Sequence, residues 1–146
     1  IIQSFKLAME NITMFHSKQF PKNYEINKND LITGLSWNPI ESVGLYIPGG
    51  NASYPSSILM SVIPAQVAGV KRIVVTTPCS NTNFNPYVLA MLDILGIKEI
   101  YQIGGAQAIA ALAYGTHTIR PVNKIFGPGN SYVNLAKKTS LWRRWY

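Results

Sequence analysis

Hydrophobic residues recur along the chain with two alternating periods. Over 1–19 the apolar positions fall at the spacing of one helix face: Ile1, Phe5, Ala8, Ile12 and Phe15. Short apolar or β-branched runs predict strands at 42–47, 72–77, 99–103 and 124–126. Helix-length segments follow these runs at 56–67, 87–95, 106–114 and 130–138. The alternation predicts an α/β fold: a partial Rossmann-like parallel sheet with alternating helices, preceded by an N-terminal helix.

Three stretches are less regular. The polar segment 19–29 predicts a surface connection, and 31–40 can hold a strand before Pro39. Pro64 stands inside the predicted helix 56–67, where its missing N–H should kink or split the helix. Gly96 and Gly115 are placed to end the helices before them.

Composition and charge indicate a globular protein and argue against a membrane or secreted one. The chain has 146 residues, 47% of them hydrophobic, which is typical of one globular domain. Its net charge is +7, but four of the thirteen basic residues lie in the last ten, so the charge belongs mainly to the tail. A lone cysteine, Cys79, and the lack of a secretory signal or an apolar run of about 18 residues lead us to expect a cytoplasmic protein without a membrane partner.

Glycine-rich turns follow three of the predicted strands, at 48–50, 104–105 and 127–129. In open parallel sheets ligands bind beyond the carboxyl ends of the strands, and glycine lets the backbone approach them closely. The alternative is that glycine only makes tight turns between strand and helix. Neither the G-x-G-x-x-G fingerprint nor a P-loop is present. The residues alone therefore predict an α/β domain and leave nucleotide or phosphate binding open.

Longer sequence blocks carry a resemblance. Val-Gly-Leu-Tyr-Ile-Pro-Gly-Gly at 43–50, Tyr-Pro-Ser-Ser at 54–57, the Gly-Gly-Ala-Gln segment at 104–116 and Lys-Ile-Phe-Gly-Pro-Gly-Asn at 124–130 resemble the histidinol dehydrogenase family. The helix upstream, with Ala-Met, Asn-Ile and Phe-His pairs between 8 and 16, is similar too. The resemblance runs from about 1 to 138.

The resemblance implies a function and a site. The family oxidises L-histidinol to L-histidine in two NAD-dependent steps, as a homodimer with one zinc per site and a Glu–His pair that handles protons. Its NAD contacts correspond to Tyr46, Gln107 and Asn130. The alternatives are a core tyrosine for Tyr46 and helix capping for Gln107 and Asn130.

The family's zinc ligands and catalytic pair follow the Gly-Pro-Gly-Asn block, so the resemblance implies that this chain carries neither. His16 and His117 do not stand at a ligand motif. We therefore predict no catalytic and no metal residue here. The expected product is a truncated histidinol dehydrogenase that binds NAD weakly at most and is inactive alone.

The resemblance also suggests how the chain is divided. We expect an N-terminal helix and connecting segment at 1–41 and an incomplete Rossmann-like nucleotide-binding region at 42–138. A basic, aromatic tail at 139–146 does not resemble the family. The alternative function is a non-enzymatic gene relic, or a small basic module that binds nucleic acid through this tail.

Overall fold

A computed structural model describes residues 2–49, 55–78 and 86–143, with side chains from 3 to 140 within those ranges. The elements in this part of the chain are α1 (Ile2–Ser17), β1 (Tyr24–Lys28), β2 (Leu31–Leu35), β3 (Ser42–Tyr46), α2 (Pro55–Val67), β4 (Arg72–Thr76), α3 (Pro86–Ile94), β5 (Glu99–Tyr101), α4 (Gly105–Tyr114), β6 (Lys124–Phe126) and α5 (Ser131–Arg143). The predictions for Gly50, Tyr54 and Cys79 and for residues 144–146 lie outside the described residues.

Four parallel strands form the central sheet, in the order β5-β4-β3-β6. On one face Val43, Leu45 and Val75 pack with α2 and α3, and α1 covers this cluster from outside. On the other face Val74 and Tyr46 pack against α4 and α5. The predicted fold class is therefore confirmed: a parallel sheet with helices on both faces, preceded by an N-terminal helix.

Small residues set how closely α4 lies on the sheet. A Cβ atom at Gly44 in β3 would stand 2.9 Å from a methyl carbon of Leu112 and 3.1 Å from one of Val122. Ala108 and Ile109 of the same helix are fully buried. Because Gly44 has no side chain, α4 packs directly on the backbone of β3. This close packing fixes the distance between the start of α4 and the carboxyl end of the sheet.

A β-hairpin precedes the sheet, and its first strand was not predicted. The segment expected to be a surface connection, 19–29, contains β1, which pairs antiparallel with β2. The connecting residues Asn29 and Asp30 have φ angles of 53° and 62°, as a type I′ turn requires. All residues of both strands are exposed, and one face carries Tyr24, Ile26, Leu31 and Leu35.

Two helices also differ from expectation. Of the two effects expected of Pro64, a kink or a split, the split does not occur, because α2 runs unbroken from Pro55 to Val67. Proline removes one hydrogen bond near the end of the helix, whereas burial of Ile58, Leu59, Val62 and Ile63 holds the helix on the sheet. Helix α5 continues to Arg143, beyond the predicted end at 138, so the boundary before the tail does not coincide with a helix end. The proposed division of the chain stays a prediction.

Within the part of the chain that the structure describes, no helix is long and apolar enough to cross a membrane.

Candidate nucleotide-binding site

The three residues assigned to NAD lie at one edge of the sheet. Tyr46 is the last residue of β3, Gln107 lies in the first turn of α4, and Asn130 directly precedes α5. Because the strands are parallel, all their carboxyl ends share this edge, and β6 lies next to β3. The sheet topology therefore brings the three positions to the same side of the molecule.

Tyr46 is a buried side chain. It is only 5% exposed and packs with Ala108, Ile109 and Val133. Its phenol oxygen accepts a hydrogen bond from the backbone N–H of Gly105, at a distance of 3.2 Å. The side chain thus fills the core beneath α4 and ties the end of β3 to the first residue of that helix.

Gln107 is exposed at the start of α4. Its carboxamide forms no hydrogen bond with another described residue, so both of its polar atoms are available to a ligand. With Pro78, Gln102, Ile103, Gly104 and Gly105 it lines an open depression of about 480 Å³. The exposed side chain and the backbone turn leading into α4 form the polar part of this depression.

Asn130 caps α5. Its Oδ1 atom accepts a hydrogen bond from the Val133 N–H at 3.0 Å, and the backbone N–H of Asn134 donates to its carbonyl oxygen at 3.0 Å. The expected capping role therefore occupies the side-chain oxygen. The Nδ2 atom bonds to no other described residue, so it is free to donate to a ligand, while Oδ1 has one of its two lone pairs engaged by the Val133 N–H.

The turn glycines are needed for contacts between turns. A Cβ atom at Gly49 would lie 2.2 Å from the carbonyl oxygen of Pro78, and one at Gly104 would lie 2.4 Å from the Cβ of Pro78. Gly127 has a φ angle of 122°, and its Cβ would lie 2.0 Å from the Tyr46 carbonyl oxygen. The alternative that glycine serves turn packing applies at all three positions, and it is compatible with a ligand above them.

Two α5 side chains that the sequence reasoning did not single out also reach this edge. Lys137 donates a hydrogen bond from Nζ to the Gly127 carbonyl oxygen, and Asn134 donates from Nδ2 to the Gly129 carbonyl oxygen at 3.2 Å. Partial burial lowers the pKa of the Lys137 ammonium. The spacing of Asn130, Asn134 and Lys137, four and then three residues apart, is the sequence signal for one shared helix face.

The opposite edge of the sheet carries an ion pair. Arg72 at the start of β4 binds Glu99 at the start of β5 through two N···O contacts of 2.8 Å. Arg72 also donates to the carbonyl oxygens of Pro121 and Arg120. The hydrogen bond from Arg72 lowers the pKa of Glu99, and the same bond raises the pKa of Arg72. These bonds tie the loop before β6 to the sheet, away from the depression.

A second, apolar cavity lies on the α2 face of the sheet. It has a volume of about 470 Å³, and its lining includes Phe20, Trp37 and Met60. His16, one of its few polar residues, is hydrogen-bonded through Nδ1 to Gln19 at 2.8 Å. A nucleotide needs several hydrogen-bonding groups, so we place the candidate site at the polar depression and not in this cavity.

The family's zinc does not fit the described residues. Nowhere in the described ranges do three histidine, cysteine, aspartate or glutamate side chains come together as a metal site. No catalytic step through a metal is derived from these described residues.

The sheet topology and the residues at the carboxyl ends of the strands define the class of protein. It is an open, doubly wound α/β protein with a polar depression beyond those strand ends. The family model described as histidinol dehydrogenase matches residues 1–142. The chain belongs to the histidinol dehydrogenase family, which confirms the resemblance predicted from the sequence blocks.

Individual relatives agree with this assignment. The chain is 55% identical over 140 residues to the histidinol dehydrogenase of Agrobacterium fabrum and 53% identical over 137 residues to that of Caldanaerobacter subterraneus subsp. tengcongensis. Each match covers 94% of this chain and 32% of the relative. The crystal structure of histidinol dehydrogenase from Elizabethkingia anophelis superposes with a TM-score of 0.90 at 44% identity, over 96% of this chain and 33% of that one. The chain thus spans about a third of the length of these relatives.

Proposed function

We propose that this chain forms part of the NAD-binding region of a histidinol dehydrogenase, and that alone it binds NAD weakly and does not oxidise L-histidinol. The observation that carries the proposal is the exposed Gln107 carboxamide in the depression at the carboxyl edge, at the start of α4. In an enzyme of the relatives' full length, the partners would be NAD, L-histidinol and a second subunit, and the location would be the cytoplasm.

The three assigned residues would act differently. Gln107 can both donate to and accept from a ribose or phosphate group. Asn130 would act mainly as a donor through Nδ2, because its oxygen already accepts the Val133 N–H. Tyr46 has little free surface and would act mainly by holding Gly105 at the floor of the depression. Bound NAD would supply the hydride acceptor, and these residues would bind and orient it.

Weak affinity follows from the size of the site. An open depression covers only part of a dinucleotide, whereas tight small-molecule sites bury most of the ligand. Each hydrogen bond from Gln107 or Asn130 adds about 0.5–1.5 kcal/mol, which corresponds to a change of about 2- to 12-fold in Kd. We therefore expect a Kd in the range of about 0.1 mM or weaker.

The test is an isothermal titration of the full chain with NAD, alongside Gln107→Ala and Gln3→Ala. Gln3 is an exposed glutamine on α1 and serves as the matched control. Saturable heat from the parent that is weakened about 2- to 12-fold by Gln107→Ala and left unchanged by Gln3→Ala supports the proposal. A chain that is folded by circular dichroism and yet gives no saturable heat with NAD refutes it.

The nucleic-acid alternative depends on the tail, where the side chains from 141 to 146 lie outside the described residues. It stays a prediction with its own test. Salt-sensitive binding to single-stranded nucleic acid that is lost on deletion of residues 139–146 would favour it over NAD binding.

A further inference from the structure

The turn between β6 and α5 is held from behind by the helix that follows it. Gly127 and Gly129 each present a carbonyl oxygen to a side chain of α5, Lys137 in the first case and Asn134 in the second. Ten residues separate Lys137 from Gly127, so the lysine side chain must turn back along nearly two turns of helix to reach it. Such a path places the ammonium at the carboxyl edge of the sheet.

The position of this ammonium is unfavourable for a surface lysine. Lys137 is partly buried, and among the described residues the one ion pair is that of Arg72 with Glu99, so no described carboxylate balances its charge. Its neighbour Lys138 is exposed and forms no such bond. A lysine that served only solubility would extend into water, as Lys138 does, because desolvation of an ammonium costs free energy.

The turn that Lys137 holds is in direct contact with Tyr46, one of the three residues assigned to NAD. The Gly127 backbone lies against the Tyr46 carbonyl so closely that no Cβ fits between them. Asn130, whose Nδ2 faces no described partner, follows this turn by one residue. The position of the Asn130 amide therefore depends on how firmly the turn is fixed.

We propose that Lys137 is a positioning residue for nucleotide binding: its ammonium holds the Gly127 carbonyl and thereby fixes the turn that presents the Asn130 side chain to the ligand. This inference rests on the proposed NAD site. It assigns to α5 a function that the resemblance does not give, since Lys137 acts through the turn and not through contact with the nucleotide.

The first measurement needs no nucleotide. Backbone ¹⁵N order parameters of Gly127, Gly129 and Asn130 are compared in the full chain and in Lys137→Met, Lys137→Arg and Lys138→Met. We expect the values in Lys137→Met to fall from about 0.85 towards about 0.6, Lys137→Arg to restore most of the loss, and Lys138→Met to match the parent. Unchanged order at the turn in Lys137→Met would overturn the proposal.

The second measurement is NAD affinity of the same variants. Lys137→Met should bind about 3- to 10-fold more weakly than the parent and Lys137→Arg close to the parent. Both methionine variants lose one positive charge on the same helix, so equal weakening by Lys138→Met would mean a general charge effect and would overturn the positioning role. If the parent itself does not bind NAD, the proposed function fails, and the order parameters still decide whether Lys137 fixes the turn.

Discussion

The phenol oxygen of Tyr46 and the backbone nitrogen of Gly105 are 3.2 Å apart and share a hydrogen bond. Gly105, which has a φ angle of 67°, is the first residue of α4. Its N–H is therefore one of those that a helix start leaves without an internal partner. The strand tyrosine supplies that partner. A side chain expected to touch NAD is thus also the group that fixes the helix start on which Gln107 is carried.

Tyr46→Phe should remove this acceptor without opening a cavity. We expect a loss of about 1–2 kcal/mol in the free energy of unfolding, since a part-buried N–H is left unpaired, and a weaker affinity for NAD. Urea denaturation followed by circular dichroism measures the first effect. Tyr114→Phe, on the exposed end of α4, is the control and should change neither quantity. Equal stability of the two variants would contradict a structural role for the Tyr46 hydroxyl.

Gly127→Ala should be among the most damaging single substitutions in the turns. The new Cβ would lie 2.0 Å from the Tyr46 carbonyl oxygen, at a φ angle of 122° that L residues rarely adopt. We expect a loss of more than about 2 kcal/mol, measured by urea denaturation. Gly96→Ala is the control that separates backbone strain from a steric clash of the new Cβ atom. Gly96 also has a positive φ angle, 70°, but nothing lies within 4 Å of the new atom. That control should lose only about 1 kcal/mol, and a similar loss in both variants would argue against the close contact.

The Arg72–Glu99 pair should make stability depend on pH in the acid range. Hydrogen bonding from Arg72 lowers the pKa of Glu99 below its ordinary value of 4.5, so the unfolded chain binds the proton more readily than the folded chain. The stabilisation is therefore fully present above pH 4.5 and is lost as the pH falls through the folded pKa. Because both side chains are partly exposed, its size is about 1 kcal/mol.

The unfolding temperatures of the parent and of Glu99→Gln, measured from about pH 3 to about pH 7, test this dependence. The variant should be less stable at neutral pH and should converge with the parent in acid. Glu10→Gln, on the exposed side of α1, provides the control and should run parallel to the parent. A gap between parent and Glu99→Gln that stays constant down to the lowest pH would disprove the linkage.

The hairpin turn offers a local test. Asp30 has a φ angle of 62°, which costs an L residue free energy but suits glycine. Asp30→Gly should stabilise pairing of β1 with β2 by about 0.5–1 kcal/mol, and Asp30→Val should weaken it. Cross-strand nuclear Overhauser effects between Tyr24 and Leu35 report the pairing directly. The unfolding midpoint of the four-stranded sheet should hardly move, because the hairpin forms a separate sheet; a large shift would show that the two are coupled.

Much of the fold could be predicted from the sequence because the central strands and helices are strongly apolar. β3 is buried at every position, and such a run predicts a strand covered on both faces. The first strand of the hairpin was missed because Tyr24 and Ile26 alternate with polar residues over only five positions, too few to stand out from a polar connection. The pair Asn29 and Asp30 was the available signal for its turn.

The end of α5 and the hydrogen bonding at the site could not be predicted for a different reason. The change in composition after Lys138 suggested a boundary, but Thr139 and Ser140 do not break a helix, and Thr139 bonds back to the Leu135 carbonyl at 3.0 Å. At the site, sequence blocks predicted which residues reach the carboxyl edge. They could not show that the Tyr46 ring is enclosed or that Val133 occupies the Asn130 oxygen, because both depend on how α4 and α5 pack together.

The packing of Gly49 and Gly104 against Pro78 has an evolutionary consequence. Each glycine is so close to the proline that a methyl group at either position would overlap it, and the three residues come from turns after three different strands. Their substitutions should therefore be correlated across the family. A homologue with alanine in place of Gly104 is expected to carry a smaller residue than proline at position 78. A substitution in one of the three turns thus limits which residues the other two can accept.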